Sequence, residues 1–288
     1  MAAVLITGCS SGIGLETALA FARRGDHTYA SMRNPEKAAR LRERAAAENL
    51  EVEVLALDVT DDASVAAAVQ LVEERHGAVD VLVNNAGITY AGAIEVTPIE
   101  QARAVMETNF WGVLRTIRAA LPAMRARGGG VIVNVSSLAG RVWSVPYGGF
   151  YSASKAGIGS LSEALAGEVE QFGVRVVCIE PGSFATDVQT NAFNRELSEE
   201  DPYSADEAWL TRFMVRIAEA GGEPAVVADA IVAAVENPDT PLHALVGEEA
   251  EMAVDLAGKA GYEQWYPQFV QQAEHFAGPR PVKPVKPT

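Results

Sequence analysis

The sequence predicts an α/β protein, a doubly wound sheet of about seven parallel strands with helices on both faces. Two observations carry that prediction. Short apolar strand segments alternate with amphipathic helical segments from Val4 to about Val246, and a glycine-rich turn, Gly8 to Gly14, joins the first strand to the first helix. No internal repeat interrupts the alternation.

The elements follow in order. Val4-Leu5-Ile6 is a short buried strand, and a helix over 12–25 places Ile13, Thr17, Leu19, Ala20 and Phe21 toward a sheet. A second strand is expected at 27–32, a helix at 35–48 with Pro35 in its first turn, and a third strand at 52–57 ended by Asp58. A helix over 61–76, a strand at 79–83, the turn Asn84-Asn85-Ala86-Gly87 and a long helix within 98–127 come next. Gly128-Gly129-Gly130 breaks that helix before a strand at 131–135. A helix over 151–172 leads to a strand at 174–179, closed by Pro181-Gly182. From 187 to 222 the alternation lapses into an aromatic, acidic insertion with Phe193, Tyr203, Trp209, Phe213 and Met214. Its place at the carboxyl end of a strand suits a substrate lid. A helix at 224–236 and a strand at 242–246 complete a single catalytic domain over 1–248. Residues 249–278 read as an amphipathic helical extension, and the proline-rich 279–288 as an extended, disordered tail.

Composition narrows the function. A net charge of −15 opposes binding to nucleic acid or anionic membrane, both of which need clustered Lys and Arg. Cys9 and Cys178 fall singly in a glycine-rich turn and an apolar strand, so packing roles are expected rather than a disulfide or a metal site. No basic stretch leading into an apolar one precedes Val4, and no run of roughly eighteen apolar residues occurs. A cytoplasmic protein with no membrane span is expected.

The chemistry concentrates in a few motifs. Tyr151 and Lys155 in Tyr151-Ser152-Ala153-Ser154-Lys155 stand one helical turn apart, where an ammonium favours the phenoxide and draws a poor base toward its working range. Glycines at 8, 12 and 14 leave room for a pyrophosphate at the amino end of the first helix, where free N–H groups favour negative charge. Taken singly each has a plain structural reading: a tight turn, a surface i,i+4 contact, a turn-forming serine, or a strand-end cap at Asp58.

Taken in order, Thr7-Gly8-Cys9-Ser10-Ser11-Gly12-Ile13-Gly14, Leu57-Asp58-Val59, Asn84-Asn85-Ala86-Gly87, Asn109, Ser136-Ser137, Tyr151 with Lys155, and Pro181-Gly182 resemble the short-chain dehydrogenase/reductase family. The likeness spans Thr7 to about Gly247, and the segments at 7–14 and 29–33 look most like its hydroxysteroid and retinol dehydrogenase branch. The resemblance implies a Rossmann-like fold and a catalytic set of Asn109, Ser137, Tyr151 and Lys155. Tyr151 exchanges a proton with the substrate oxygen, Ser137 hydrogen-bonds that oxygen, Lys155 lowers the tyrosine pKa and holds the nicotinamide ribose, and Asn109 anchors a water leading from Lys155 to solvent. Spacing to the tyrosine favours Ser137 over Ser136. Gly8, Ser10, Ser11, Gly12, Ile13, Gly14, Arg33, Asp58, Val59, Asn84, Asn85, Ala86, Gly87, Pro181, Gly182 and Thr186, with Tyr151 and Lys155, are expected at the dinucleotide.

Family members that use NAD usually carry an acid at the end of the second strand, whereas Met32 here is followed by Arg33. NADP(H) is therefore favoured, with Arg33 on the 2′-phosphate and a hydroxyl from Ser11. An Arg33 that only stacks on adenine leaves NAD(H) open. Trp143, Val145, Tyr147 and Phe184, with the insertion aromatics, either form an apolar cleft over the nicotinamide or pack in the core or against another subunit. The expected substrate is a lipophilic secondary alcohol or a ketone/aldehyde, and the expected assembly a homo-oligomer, dimer or tetramer. Epimerisation or dehydration within the family, and nucleotide sensing without turnover, are the rival functions. Retention of both Tyr151 and Lys155 weighs against the last.

Overall fold

The structure is a computed structural model and describes residues 1–186 and 200–281. Seven parallel strands, β1 (Ala3–Thr7), β2 (His27–Met32), β3 (Val52–Ala56), β4 (Val81–Asn84), β5 (Gly130–Val135), β6 (Val174–Pro181) and β7 (His243–Val246), form one sheet in the order β3-β2-β1-β4-β5-β6-β7. The order reverses beside β1. A sheet of this kind carries its crevice there, at the strands' carboxyl ends.

Two apolar cores cover the two faces of the sheet, which is why the strands read as near-continuous apolar runs. Leu5, Leu82 and Ile132 face α3 (Asp62–His76), α5 (Gly112–Arg127) and α6 (Gly149–Val169). Val4, Ile6, Val83 and Val133 face α1 (Gly12–Arg23), α2 (Ala39–Ala47) and α8 (Pro224–Glu236). Asp61 caps α3 by accepting from the N–H groups of Ala63 and Ser64, and Gly77, at φ +82°, ends it. The fold expected from the sequence is the fold observed.

Differences lie where helices subdivide. The helix expected within 98–127 is α4 (Ile99–Met106), a wide turn of π geometry at Glu107–Trp111, and α5. The segment read as an irregular insertion is helical in its described part, α7 (Ser204–Glu219), while 187–199 lie outside the described residues. That helix stands outside the strand–helix alternation because its apolar face meets other late helices rather than the sheet. Trp209, Leu210 and Phe213 pack with Phe269 and Ala273 of α10 (Tyr262–Ala277) in a third core. Residues 249–278 form two helices, α9 (Glu248–Lys259) and α10, parted at Gly261, which precedes the first residue of α10. Arg280, expected in a disordered tail, is bonded to α7 through Asp206, and 282–288 lie outside the described residues. No described helix is long and apolar enough to cross a membrane.

Candidate active site

The turn after β1 is built to let another backbone come close. Gly8 has φ +76°, and a Cβ there would stand 2.8 Å from the Cα of Ala86; a Cβ on Gly14 would stand 2.3 Å from the carbonyl oxygen of Gly8. Thr7 Oγ1 accepts from the N–H groups of Asn85 and Ala86, each at 3.0 Å, and Asn85 Nδ2 donates to the carbonyls of Thr7 and Gly8 at 2.9 and 3.1 Å. These bonds lock the β1 and β4 turns together. Ser11 precedes α1 in extended conformation and makes no side-chain cap bond, so its hydroxyl stays available beside the helix's free N–H groups.

A cleft of about 410 Å³ opens above these turns. Gly8, Ser10, Ser11, Gly12, Ile13, Arg33, Asp58, Val59, Asn85, Ala86, Gly87, Tyr151, Lys155, Pro181, Gly182 and Thr186 all line it. Two expected residues do not. Asn84 is buried in the core, donating to Asn134 Oδ1 at 2.9 Å and accepting from Thr116 Oγ1 at 2.6 Å, because its side chain points off the strand away from the crevice. Gly14 acts from beneath, through the close approach just described. Ile88, Thr108, Thr60 and Phe184 also line the cleft. Single apolar or threonine side chains carry no motif signal. Of the two placements open for Phe184, the cleft or the core, it takes the core, buried in the wall of this cleft.

The chemical group stands at the inner end. Tyr151 and Ser137 border the cleft, and Ser137 also accepts from the Ala139 N–H at 3.1 Å at the start of a short 3-10 turn. Ser136 is spent on structure, its hydroxyl donating to the carbonyl of Lys155 at 2.8 Å. Lys155 is buried, its Nζ donating to the carbonyl of Val135 at 2.8 Å and lying 5.8 Å from the centroid of the Tyr151 ring. Burial pushes the Tyr151 phenol up, with the Ser137 hydroxyl opposing, and holds the Lys155 ammonium down to about 8, with Cys178 opposing. The direction expected from the Lys155 spacing is a lowered phenol; here burial is the largest cause and raises it, and the Ser137 hydroxyl is what opposes.

Asn109 sits in the π turn and does not line the cleft. Its Oδ1 accepts from the Ile88 N–H at 2.8 Å, and its Nδ2 donates to the Ile88 carbonyl at 2.8 Å and to Ser154 Oγ at 3.0 Å. Both ends of its amide are engaged, and through them it braces the Ile88 backbone. The local π widening turns it inward.

A second cleft, of about 300 Å³, adjoins the first and shares Ser137, Tyr151 and Gly182 with it. Trp143, Val145 and Tyr147 line it, as do Met214 of α7 and Trp265 and Phe269 of α10. Trp143 stacks on Trp265 with ring centroids 5.2 Å apart. No charged side chain borders it among the described residues. The α10 aromatics were missed because 249–278 read only as an extension; the aromatic face at Tyr262, Trp265, Tyr266 and Phe269 is the signal that points to them. Of the insertion aromatics, Trp209 and Phe213 are buried in the third core, Tyr203 bonds Glu95 at the surface, and Phe193 lies outside the described residues.

Cys178, Glu180 and His243 bring potential metal ligand atoms within 4.8 Å of one another. His243, however, bonds Glu180 through Nδ1 and Glu163 through Nε2, each at 2.9 Å, and Arg141 Nε lies 3.8 Å from Glu180. Burial raises the Cys178 thiol to about 12. An ion-pair network with a protonated thiol describes this cluster better than a cation site.

A glycine-cradled crevice at the switch point, opening at a tyrosine, a serine and a buried lysine onto an apolar cleft, defines a dinucleotide-dependent oxidoreductase. The description "short chain dehydrogenase" matches residues 2–197. The chain is 35% identical over 271 residues to the 3-ketodihydrosphingosine reductase of Bacteroides thetaiotaomicron, covering 93% of this chain and 94% of that one. It is 35% identical over 251 residues to human retinol dehydrogenase 8, covering 83% and 79%. A solved short-chain dehydrogenase from Streptomyces avermitilis matches with a TM-score of 0.75 and 36% identity, over 94% of this chain and 95% of that one. Similarly folded chains include one solved with NADP and one with NAD. The chain belongs to the short-chain dehydrogenase/reductase family.

Proposed function

We propose that the protein is an NADP(H)-dependent oxidoreductase interconverting a secondary alcohol and a ketone, or the corresponding aldehyde, on a lipophilic small molecule. The observation that carries this reading is the junction of a nucleotide-shaped cleft with an apolar one at Ser137, Tyr151 and Gly182. When bound, the dinucleotide supplies the hydride. Tyr151 gives its proton to the carbonyl oxygen as negative charge builds there, and Ser137 donates a hydrogen bond to the same oxygen. Lys155, one helical turn from Tyr151 and bordering the same cleft, holds the nicotinamide ribose and passes a proton to the phenol. Asn109 acts through Ile88, whose backbone it fixes at the cleft's edge. The apolar cleft excludes water and charged substrates. NADPH oxidation, followed at the nicotinamide absorbance across a panel of lipophilic ketones and aldehydes, tests the reading; no turnover on any of them would remove it.

Arg33 supports the choice of NADP(H). It follows the last residue of β2, lines the cleft and has no ion-pair partner among the described residues, while Asp58 is held by the N–H and hydroxyl of Thr60 at 3.0 and 2.8 Å. Arg33→Asp is expected to shift preference from NADP to NAD, since a carboxylate repels the 2′-phosphate and accepts bonds from free ribose hydroxyls. Loss of one charge-assisted contact costs ~1.5–3 kcal/mol, roughly tenfold to a hundredfold in NADP affinity. Catalytic efficiencies with both cofactors decide it: a wild type that prefers NAD, or a ratio the mutation leaves unmoved, rejects the assignment.

The pH profile follows from Lys155. Its ammonium is present below about 8 and lost above it, so kcat/KM for NADPH, which reports the free enzyme, is expected to be level to about pH 8 and to fall beyond. A profile level through pH 9 would contradict that role.

A further inference from the structure

Tyr147 has a backbone φ of +64°, one of two described non-glycine residues in the left-handed region, where a Cβ is sterically disfavoured. It lines the apolar cleft, directly before Gly148, the residue that leads into α6 and thus to Tyr151. Such a conformation persists only where the surroundings impose it, and here two bonds do. The Tyr147 carbonyl accepts from the Gly92 N–H at 2.9 Å, and its hydroxyl donates to Asp206 Oδ2 at 2.6 Å.

Asp206 lies in the first turn of α7 and is itself gripped from a third segment. Arg280 donates to Oδ1 through Nε at 2.6 Å and to Oδ2 through Nη2 at 2.7 Å, a two-pronged geometry that fixes orientation as well as distance. The remaining guanidinium nitrogen, Nη1, donates to the hydroxyl of Tyr266 on α10 at 2.9 Å. The guanidinium carbon lies 5.6 Å from the ring centroid of Trp209, whose Nε1 donates to the Gly278 carbonyl at 2.7 Å. Three segments distant in sequence thus meet at one carboxylate. Burial pushes that carboxyl up, but the Arg280 guanidinium and the Tyr147 hydroxyl outweigh it and hold it below its ordinary range.

We infer that Arg280, Asp206 and Tyr147 form a clamp that sets substrate specificity, by fastening α7 and the 278–281 segment onto the loop before the catalytic tyrosine and so fixing the wall of the apolar cleft. Arg280 and Asp206 are positioning residues, and Tyr147 is the cleft-lining residue they hold. The clamp engages the Arg280 guanidinium, and a cleft with no charged side chain in its described lining takes an uncharged, extended apolar chain that is held only when the wall is closed. The inference rests on the reading of that cleft as the substrate site. Breaking the clamp loosens the wall that a long chain touches, while a ketone small enough to reach only Tyr151 and Ser137 is little affected.

The test compares wild type with Arg280→Ala, Arg280→Lys, Tyr147→Phe and the Arg280→Ala/Tyr147→Phe double variant. With a ten-carbon methyl ketone, KM is expected to rise about tenfold in Arg280→Ala and severalfold in Tyr147→Phe, the double variant resembling Arg280→Ala because both act through Asp206. Arg280→Lys, which keeps charge but not the two-pronged geometry, is expected between wild type and alanine. With a four-carbon ketone, kcat/KM of the Arg280 variants is expected to change less than threefold, and their NADPH dissociation constant less than twofold. Hydrogen exchange supplies a readout independent of turnover: residues 142–149 are expected to exchange at least tenfold faster in Arg280→Ala. Unchanged exchange there overturns the clamp, and so does an equal loss on long and short ketones. If wild type turns over neither ketone, the functional reading falls, and exchange alone then decides whether the three segments are fastened.

Discussion

Replacing Tyr151 with phenylalanine is expected to lower kcat by roughly 10²–10⁴-fold while the NADPH dissociation constant changes less than threefold. The ring still packs on α6 between the two clefts, but the transferable proton is gone at the point the clefts share. Because burial pushes this phenol up, it is held protonated and suited to donate to a carbonyl oxygen during reduction. The Ser137 hydroxyl remains in the variant and polarises the carbonyl without supplying a proton. Cofactor titration by fluorescence, beside initial rates of ketone reduction, separates the two effects. Retention of most of the wild-type rate would exclude Tyr151 as the acid/base.

Lys155→Met is expected to move activity and stability in opposite directions. The ammonium is buried, and its fall from 10.5 to about 8 corresponds to a desolvation cost of ~3 kcal/mol at neutral pH. Methionine keeps the apolar stem and removes that cost, at the expense of the bond to the Val135 carbonyl, worth about 1 kcal/mol. The variant is expected to gain on the order of 2 kcal/mol, a rise of a few degrees in Tm, while kcat falls at least about a hundredfold and NADPH binds roughly tenfold more weakly. The sign with pH follows. The folded state gives up this proton near 8 and the unfolded state near 10.5, so the cost is fully present below 8 and fades as pH rises between those values. Denaturation of both proteins at pH 7 and pH 10 checks it: the stability gap is expected to narrow at the higher pH. A variant less stable than wild type at pH 7 would mean that the buried ammonium is a net structural asset.

Most of the scaffold was legible because its signals are local. A buried parallel strand such as Val81–Asn84 must be apolar on both faces, and the chain must turn where Gly8 takes φ +76° against Ala86. Motif order reached most of the residues lining the larger cleft, from Gly8 to Thr186, because backbone geometry at strand ends places them there whatever follows. It failed at Asn84, where one residue along a strand reverses the direction of a side chain. That polarity belongs to a core network with Asn134 and Thr116.

The apolar cleft was the least legible part. Trp143, Val145 and Tyr147 stand near Tyr151 in sequence, but their cleft exists only because α7 and α10, distant from them along the chain, fold back and bring Met214, Trp265 and Phe269 opposite. Nothing local announces that contact. An aromatic helix face reads the same whether it meets a sheet, another helix or a ligand.

By itself, then, the sequence determined the parallel sheet of about seven strands and the glycine turn after the first, since periodicity and glycine conformation act within a few residues, and likeness to a family singled out Tyr151, Ser137 and Lys155. Only the tertiary structure decided that Ser136 is spent on the Lys155 carbonyl, that Asn109 braces Ile88, that burial sets the directions of the Tyr151 and Lys155 pKa values, and that Arg280 reaches Asp206 and Tyr147. Those outcomes depend on desolvation and on partners far apart in the chain, and both come into being only when the helices have packed.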